Sequence, residues 1–111
     1  MFDRAVLGRS SNARIVDVVT LDEAAALLGD KRVAAVKMDI EGAELEVLRG
    51  AGDFLRRHQP SLVVEPHPDG SGKMNTEQIC EILHSFNYSA DLVSQGAEDW
   101  PLIAARPKQA A

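Results

Sequence analysis

The sequence lacks the features typical of secreted, membrane-spanning or nucleic-acid-binding proteins. Its single cysteine, Cys80, excludes an internal disulfide and fits a reducing compartment. No apolar run approaches the roughly 20 residues of a transmembrane helix, and the opening MFDRAVLGRSSNAR lacks the apolar segment of a signal peptide. The 12 basic residues form no long run and are outnumbered by 17 acidic residues. We therefore expect a cytoplasmic protein that binds neither membrane nor nucleic acid.

What is present predicts one small domain. The 111 residues are enough for a modest core. Residues 1–14 mix Gly, Ser, Asn and scattered charge, so we expect a flexible N-terminal arm. Residues 15–107 carry the apolar patterns of a folded domain, and residues 108–111 are expected to form a frayed tail.

Strand-like and helix-like segments alternate along this domain. The predicted strands are 15–20, 33–40, 61–65, 90–94 and 101–105. Four helical segments are predicted. The first follows a capping box at Thr20–Glu23, the second begins near Glu41 or Gly42, and a short third segment follows Gly52. The last carries an apolar stripe of Ile79, Ile82, Leu83 and Phe86. Segment 33–40 is almost continuously apolar, which is typical of a strand covered on both faces. The order predicts an α/β fold with parallel strands and a closing antiparallel hairpin.

Polar residues stand where two of these strands end. Asp39 and Glu41 close one strand, and Glu65 and His67 close the next. If the two strands are neighbours, these four groups share one edge of the sheet, where ligands of α/β folds bind. Carboxylate oxygens with an imidazole nitrogen suit a hard or borderline divalent metal, and the same groups could supply a general base.

A purely structural interpretation is also open. Asp39 and Glu41 could serve only as favourable negative charges at a helix N-terminus. Glu44 and Glu46 would then be first-turn acids, with Arg49 as a surface partner.

Four other residues receive structural roles. His67 stands between two prolines and could be an ordinary loop residue. Asn75 is predicted to cap the last helix. Cys80 is predicted to be a structural thiol, and Trp100 is expected to cover the sheet edge.

VKMDIEGAELEVLRGA (36–51) followed by PSLVVEPHP (60–68) resembles the signature of the FkbM-type methyltransferases. The resemblance extends over roughly residues 16–107 and is specific from 36 to 67. The positions that match the motif are Lys37, Asp39, Glu41, Gly42, Glu44 and Glu65.

This resemblance implies the second half of a class I, Rossmann-like methyltransferase sheet, with S-adenosylmethionine as cofactor and a hydroxyl oxygen as methyl acceptor. Asp39 would be the base or, with Glu65, a metal ligand. Glu41 and Glu65 would orient the substrate, and His67 is a further catalytic candidate.

The sequence has no short glycine-rich strand-to-helix turn of the kind that holds this cofactor in the first half of such enzymes. We therefore expect a truncated member of the family that is inactive alone. In the full fold another strand lies beside segment 33–39. Without that strand, segment 33–39 would have a free apolar edge. We expect this edge to be covered by a second copy of the chain, as in a dimer or other homo-oligomer, by a partner chain, or by the N-terminal arm. The alternatives are a non-catalytic or oligomerising remnant and a small metal-binding module.

Overall fold

The computed structural model describes residues 3–7, 14–68, 71–97 and 99–108. The strands are β1 (Asp3–Leu7), β2 (Arg14–Val18), β3 (Ala35–Met38), β4 (Ser61–Val64), β5 (Tyr88–Val93) and β6 (Leu102–Pro107). The helices are α1 (Leu21–Ala25), which continues as a 3₁₀ turn (Ala26–Leu28), α2 (Glu44–Arg49), α3 (Gly52–His58) and α4 (Thr76–Ser85). No helix in these ranges is long and apolar enough to cross a membrane.

Four strands form the main sheet, in the order β3-β4-β6-β5. β3 and β4 are parallel, with Met38 opposite Val64. β6 runs antiparallel to both of its neighbours. The predicted α/β fold with parallel strands is confirmed in this coarse form. The predicted closing hairpin is present as the antiparallel pair β5 and β6 at one edge of the sheet, with β6 lying between β4 and β5.

The N-terminal strands pair with each other in a separate two-stranded antiparallel sheet. Asp3 lies opposite Val18 and Leu7 lies opposite Arg14. The segment predicted as a flexible arm therefore contains a strand that the sequence analysis did not anticipate. The rest of that segment, apart from Arg14, lies outside the described residues. At the other end, the backbone N–H of Lys108 donates to the carbonyl of Asn87, and residues 109–111 are likewise not described.

The first helix begins where its capping box predicts. The Thr20 hydroxyl accepts the backbone N–H of Glu23 at 3.0 Å, and the Glu23 carboxylate accepts the N–H of Thr20 at 3.1 Å. Each bond satisfies an amide that has no partner inside the helix. The predicted break between the next two helices is also present, because α2 ends at Arg49 and α3 begins at Gly52.

One face of the main sheet is covered and the other is open. Burial alternates along β4, where Leu62 and Val64 are buried while Ser61 and Val63 are exposed. The covered face packs against the apolar sides of the helices, including Leu48, Phe54, Leu55, Ile79 and Leu83. The predicted helical stripe is confirmed, because Ile79 and Leu83 are buried and Ile82 and Phe86 are partly buried against the same core.

The prediction that β3 is covered on both faces is wrong. Ala35 and Lys37 are exposed in β3, and Val63 beside them keeps 38% of its surface accessible. An apolar run shows that the side chains of a strand are hydrophobic. It does not show which faces of that strand are covered, because the covering elements come from elsewhere in the chain. In the described residues the helices pack on the other side of this sheet.

Candidate functional site

The parallel pairing of β3 and β4 brings their carboxyl ends together. The ladder continues one step beyond the strands, since the backbone N–H of Glu65 donates to the carbonyl of Met38 at 2.8 Å. Asp39 directly follows β3 and Glu65 directly follows β4, so the two residues lie at the same edge of the sheet. One ligand atom from each of Asp39, Glu65 and His67 lies within 4.8 Å of the other two. We call these three residues the rim.

Glu41, the fourth predicted residue, is not part of this group. It lies in the turn between β3 and α2, is exposed, and has a left-handed backbone with φ of 54°. Gly42 follows with φ of 113°, a conformation that favours glycine. These two consecutive positive φ angles reverse the chain after Asp39 and delay the start of α2 to Glu44, later than the sequence predicted.

Glu44 holds this turn from inside the protein. It is a first-turn acid of α2 as expected, but its side chain is fully buried instead of lying at the surface. One carboxylate oxygen, Oε2, accepts the backbone N–H groups of Ile40 and Gly42, both at 3.2 Å. The other, Oε1, accepts Nδ2 of Asn75 at 3.0 Å. Burial alone would raise the pKa of Glu44, but these hydrogen bonds outweigh it and hold the pKa below its ordinary value.

His67 bridges this buried carboxylate and the rim. Its Nδ1 lies 3.1 Å from Oε2 of Glu44, and its Nε2 lies 3.3 Å from Oδ1 of Asp39. The exposed fraction of the side chain rises along this line, from 0% for Glu44 through 14% for His67 to 47% for Asp39. The ring therefore connects the interior to a solvent-accessible carboxylate.

Asn75 fixes the backbone of His67. Its Oδ1 accepts the N–H of His67 at 2.9 Å, and its own N–H donates to the carbonyl of His67 at 3.0 Å. Asn75 precedes α4 as predicted, but its side chain makes no capping bond. Asn75 is therefore the N-cap residue of α4 by position, but the predicted capping hydrogen bond does not form because the side chain is used by His67 and Glu44 instead.

Trp100 stands beside the rim. Its ring packs against that of His67 in an edge arrangement, with centroids 5.9 Å apart and planes at 70°. Its backbone carbonyl accepts Nε2 of Gln95 at 2.8 Å, which ties the β5–β6 connection together. The sequence assigned Trp100 only to the sheet edge, and nothing in the local pattern links it to His67, 33 residues earlier in the chain.

The arrangement can carry two kinds of chemistry. Two carboxylates and an imidazole within reach of one another could take up a proton from a bound hydroxyl group. The same three donors match the ligand types of a divalent metal. Cys80 does not belong to this group of ligand atoms, and burial raises the pKa of its thiol, which disfavours the reactive thiolate.

Comparison with known proteins identifies the family. A model of the FkbM methyltransferase domain matches residues 2–90, most of the chain. The chain belongs to the FkbM methyltransferase domain family. A curated relative, the AMB antimetabolite synthetase AmbE of Pseudomonas aeruginosa, is 29% identical over 93 residues. That match covers 78% of this chain but only 4% of the relative. No solved structure matches the chain significantly.

Four of the six positions that match the motif fall into two structural groups, while Lys37 and Glu41 are exposed and belong to neither. Gly42 and Glu44 build the turn and its buried support. Asp39 and Glu65 belong to the rim. The DxEGAE block of this FkbM-family chain therefore contains both a rim residue, Asp39, and the residues that hold the turn after it, Gly42 and Glu44.

Proposed function

We propose that this chain forms the methyl-acceptor side of an S-adenosylmethionine-dependent methyltransferase that acts on a hydroxyl oxygen. The observation that carries the proposal is the convergence of Asp39, Glu65 and His67 beyond two adjacent parallel strands, the place where α/β folds bind ligands. Family membership and the antiparallel final strand β6 agree with such an enzyme.

Within the proposal, the rim binds the acceptor and removes its proton. A hydroxyl group beside Asp39 and His67, whose facing atoms are 3.3 Å apart, could donate its hydrogen to either, and the carboxylate or Nε2 would take the proton as the oxygen is methylated. Glu65, half-buried beside them, would orient the acceptor. Glu41 is exposed and could contact only a larger acceptor that reaches over the turn.

We further propose that the chain is inactive alone. The cofactor supplies the methyl group, yet no short glycine-rich turn joins a strand to a helix within the described ranges. We therefore assign no residue of this chain to the cofactor. Calorimetry with S-adenosylmethionine tests this point: we expect no binding in the micromolar range, an affinity that corresponds to about −8 kcal/mol and requires a formed cradle. Micromolar binding would contradict it.

The acceptor role is tested in a chimera. Residues 14–107 would replace the corresponding segment of an FkbM-family methyltransferase that has its own cofactor-binding half, and transfer of labelled methyl groups would be measured. Asp39→Asn and His67→Gln should each lower the rate about 100-fold or more. Glu46→Gln, an exposed acid of α2, is the matched control. An active chimera that tolerates both rim changes would refute the proposed role.

A second candidate function is metal binding at the same rim. The favouring observation is the close approach of three ligand atoms of the right kind from Asp39, Glu65 and His67. Mg²⁺ or Mn²⁺ bound there would polarise the acceptor oxygen. The three residues fit such an ion by donor type and spacing, and by the support that Glu44 gives to the imidazole.

Association through β3 is also a proposal. β3 ends the main sheet in the described part of the chain, and the adjoining sheet face carries the exposed side chains of Ala35 and Val63. A second copy of the chain, a partner chain or the N-terminal arm could cover this edge.

A further inference from the structure

We propose that Glu44 is a positioning residue that keeps a hydrogen on Nδ1 of His67 and so makes Nε2 the nitrogen that works at the rim. Nε2 would exchange protons with the acceptor or bind a cation, while Nδ1 remains occupied. The inference rests on the proposed function, because it specifies how His67 serves that site.

The first step concerns the atom that faces Nδ1. Oε2 of Glu44 accepts two backbone N–H groups, from Ile40 and Gly42. Backbone amides can only donate, so this oxygen is an acceptor in the folded protein. A bare Nδ1 at 3.1 Å would place two acceptors face to face. The hydrogen bond forms only if Nδ1 carries the hydrogen.

The second step concerns the other nitrogen. A neutral imidazole has one N–H, so a hydrogen held on Nδ1 leaves Nε2 with a free lone pair. Nε2 faces Oδ1 of Asp39 at 3.3 Å, a second acceptor that competes for the same hydrogen. Asp39 is half exposed, so its carboxylate can turn toward water, whereas Oε2 of Glu44 is buried and fixed by two backbone amides. The fixed and closer acceptor therefore keeps the hydrogen on Nδ1. The reactive nitrogen therefore lies on the accessible side of the ring, and the occupied nitrogen lies on the buried side.

The third step concerns the rigidity of the ring. Asn75 is almost completely buried, binds the backbone of His67 through two hydrogen bonds, and donates to Oε1 of Glu44. The ring, its carboxylate partner and its backbone are thus held by one residue. A carboxylate that orients a histidine in this way is a common support of imidazole ligands and bases.

His58 supplies an internal reference of the opposite kind. Its Nδ1 accepts the backbone N–H of Val33 at 3.1 Å. Because that amide can only donate, the hydrogen of neutral His58 must sit on Nε2. The same chain therefore contains two histidines whose surroundings select opposite tautomers, and His84 is exposed.

Nitrogen NMR tests the inference without any activity measurement. Two-bond ¹H–¹⁵N correlations of the three histidines would be recorded on the whole labelled chain at mildly alkaline pH, where a free imidazole is neutral. We expect the Nδ1–H form for His67, the Nε2–H form for His58, and a mixture for His84. A wild-type spectrum that shows His67 in the Nε2–H form overturns the inference, and this result needs no variant.

Two variants sharpen the test. Glu44→Met keeps the length of the side chain but removes the acceptor that faces Nδ1, so the preference of His67 for the Nδ1–H form should be lost while the His58 signature is unchanged. Glu46→Gln, exposed on the same helix, should change neither ring. Retention of the His67 signature in a folded Glu44→Met variant would overturn the inference. A failure of the proposed methyl transfer would leave these spectra unaltered, so the two claims can fail separately.

Discussion

The carboxylate of Asp22, in helix α1, caps helix α3 by accepting the backbone N–H of Phe54 at 2.7 Å. The second carboxylate oxygen of Asp22 accepts the backbone N–H of Asp53 at 3.2 Å, and the backbone N–H of Asp22 donates to the carbonyl of Gly50 at 3.0 Å. The first N–H groups of a helix have no partner inside it. Asp22 therefore satisfies the start of α3 across 31 or 32 residues and joins the two helices.

Removal of this cap should destabilise the protein. We expect Asp22→Ala to lower the free energy of unfolding by about 1–2 kcal/mol, the usual cost of a lost N-cap. Asp22→Asn keeps one acceptor oxygen and should lose less. Urea unfolding of both variants measures the difference. Equal stability of Asp22→Ala and the wild type would show that the cap contributes nothing.

Tyr88 should make stability depend on pH in the alkaline range. Its buried hydroxyl donates to the carbonyl of Pro60 at 2.7 Å, and burial raises its pKa from 10.0 to about 12. Because the folded state holds the proton more tightly, the stabilisation is complete below pH 10 and is lost as the pH rises toward 12. The loss should be on the order of 2 kcal/mol.

Tyr88→Phe is the matched control for this pH dependence. It removes the titrating group and one buried hydrogen bond, which should cost about 1 kcal/mol at neutral pH. The stability difference between wild type and variant should shrink and then reverse between pH 10 and 12. A constant difference over that range would contradict the assignment.

Metal binding at the rim should be visible through Trp100, the chain's single tryptophan. Mn²⁺ held by Asp39, Glu65 and His67 would lie beside the indole ring and quench its fluorescence. Titration with MnCl₂ should give saturable quenching, and Asp39→Ala should weaken the apparent affinity at least tenfold, or about 1.4 kcal/mol. Glu46→Gln should bind as the wild type does. Identical curves for Asp39→Ala and the wild type would rule out this site.

The free edge of β3 should control self-association. The carbonyls of Ala34 and Met38 accept the N–H groups of Ser61, in β4, and of Glu65, just after it, so in a parallel ladder the N–H of Ala35 points to the open side. Ala35→Pro removes that outward donor without breaking a bond to β4. We expect concentration-dependent dimers for the wild type on a sizing column and monomers for Ala35→Pro.

Ala35→Val is the companion variant, since it keeps the outward N–H and enlarges the apolar edge. It should associate at least as strongly as the wild type. A wild-type chain that stays monomeric through the whole dilution series would dismiss pairing between copies through this edge.

The sequence predicted the elements and their order well, because these depend on local signals. The Thr20–Glu23 capping box, the break between Gly50 and Gly52, and the apolar stripe of α4 each lie within one short segment. The convergence of Asp39 and Glu65 was also predictable, since it follows from two consecutive parallel strands and needs no knowledge of side-chain packing.

The supporting residues could not be predicted in the same way. Burial of Glu44 depends on polar partners in His67 and Asn75, 23 and 31 residues further along the chain, and no local pattern distinguishes it from a surface acid. The contact between Trp100 and His67 requires the β5–β6 connection to fold back. The open face of the sheet was missed because an apolar run does not reveal which elements cover it.

The burial of Glu44 links the rim to the cooperativity of folding. Its carboxylate gathers hydrogen-bond donors from three separate segments, and these segments meet only when the sheet and helices have assembled. A chain in which these segments have not met would leave this acid hydrated and His67 without its partner. The reactive groups and the tertiary structure should consequently arise in a single transition, so that every molecule either has the complete constellation or lacks it.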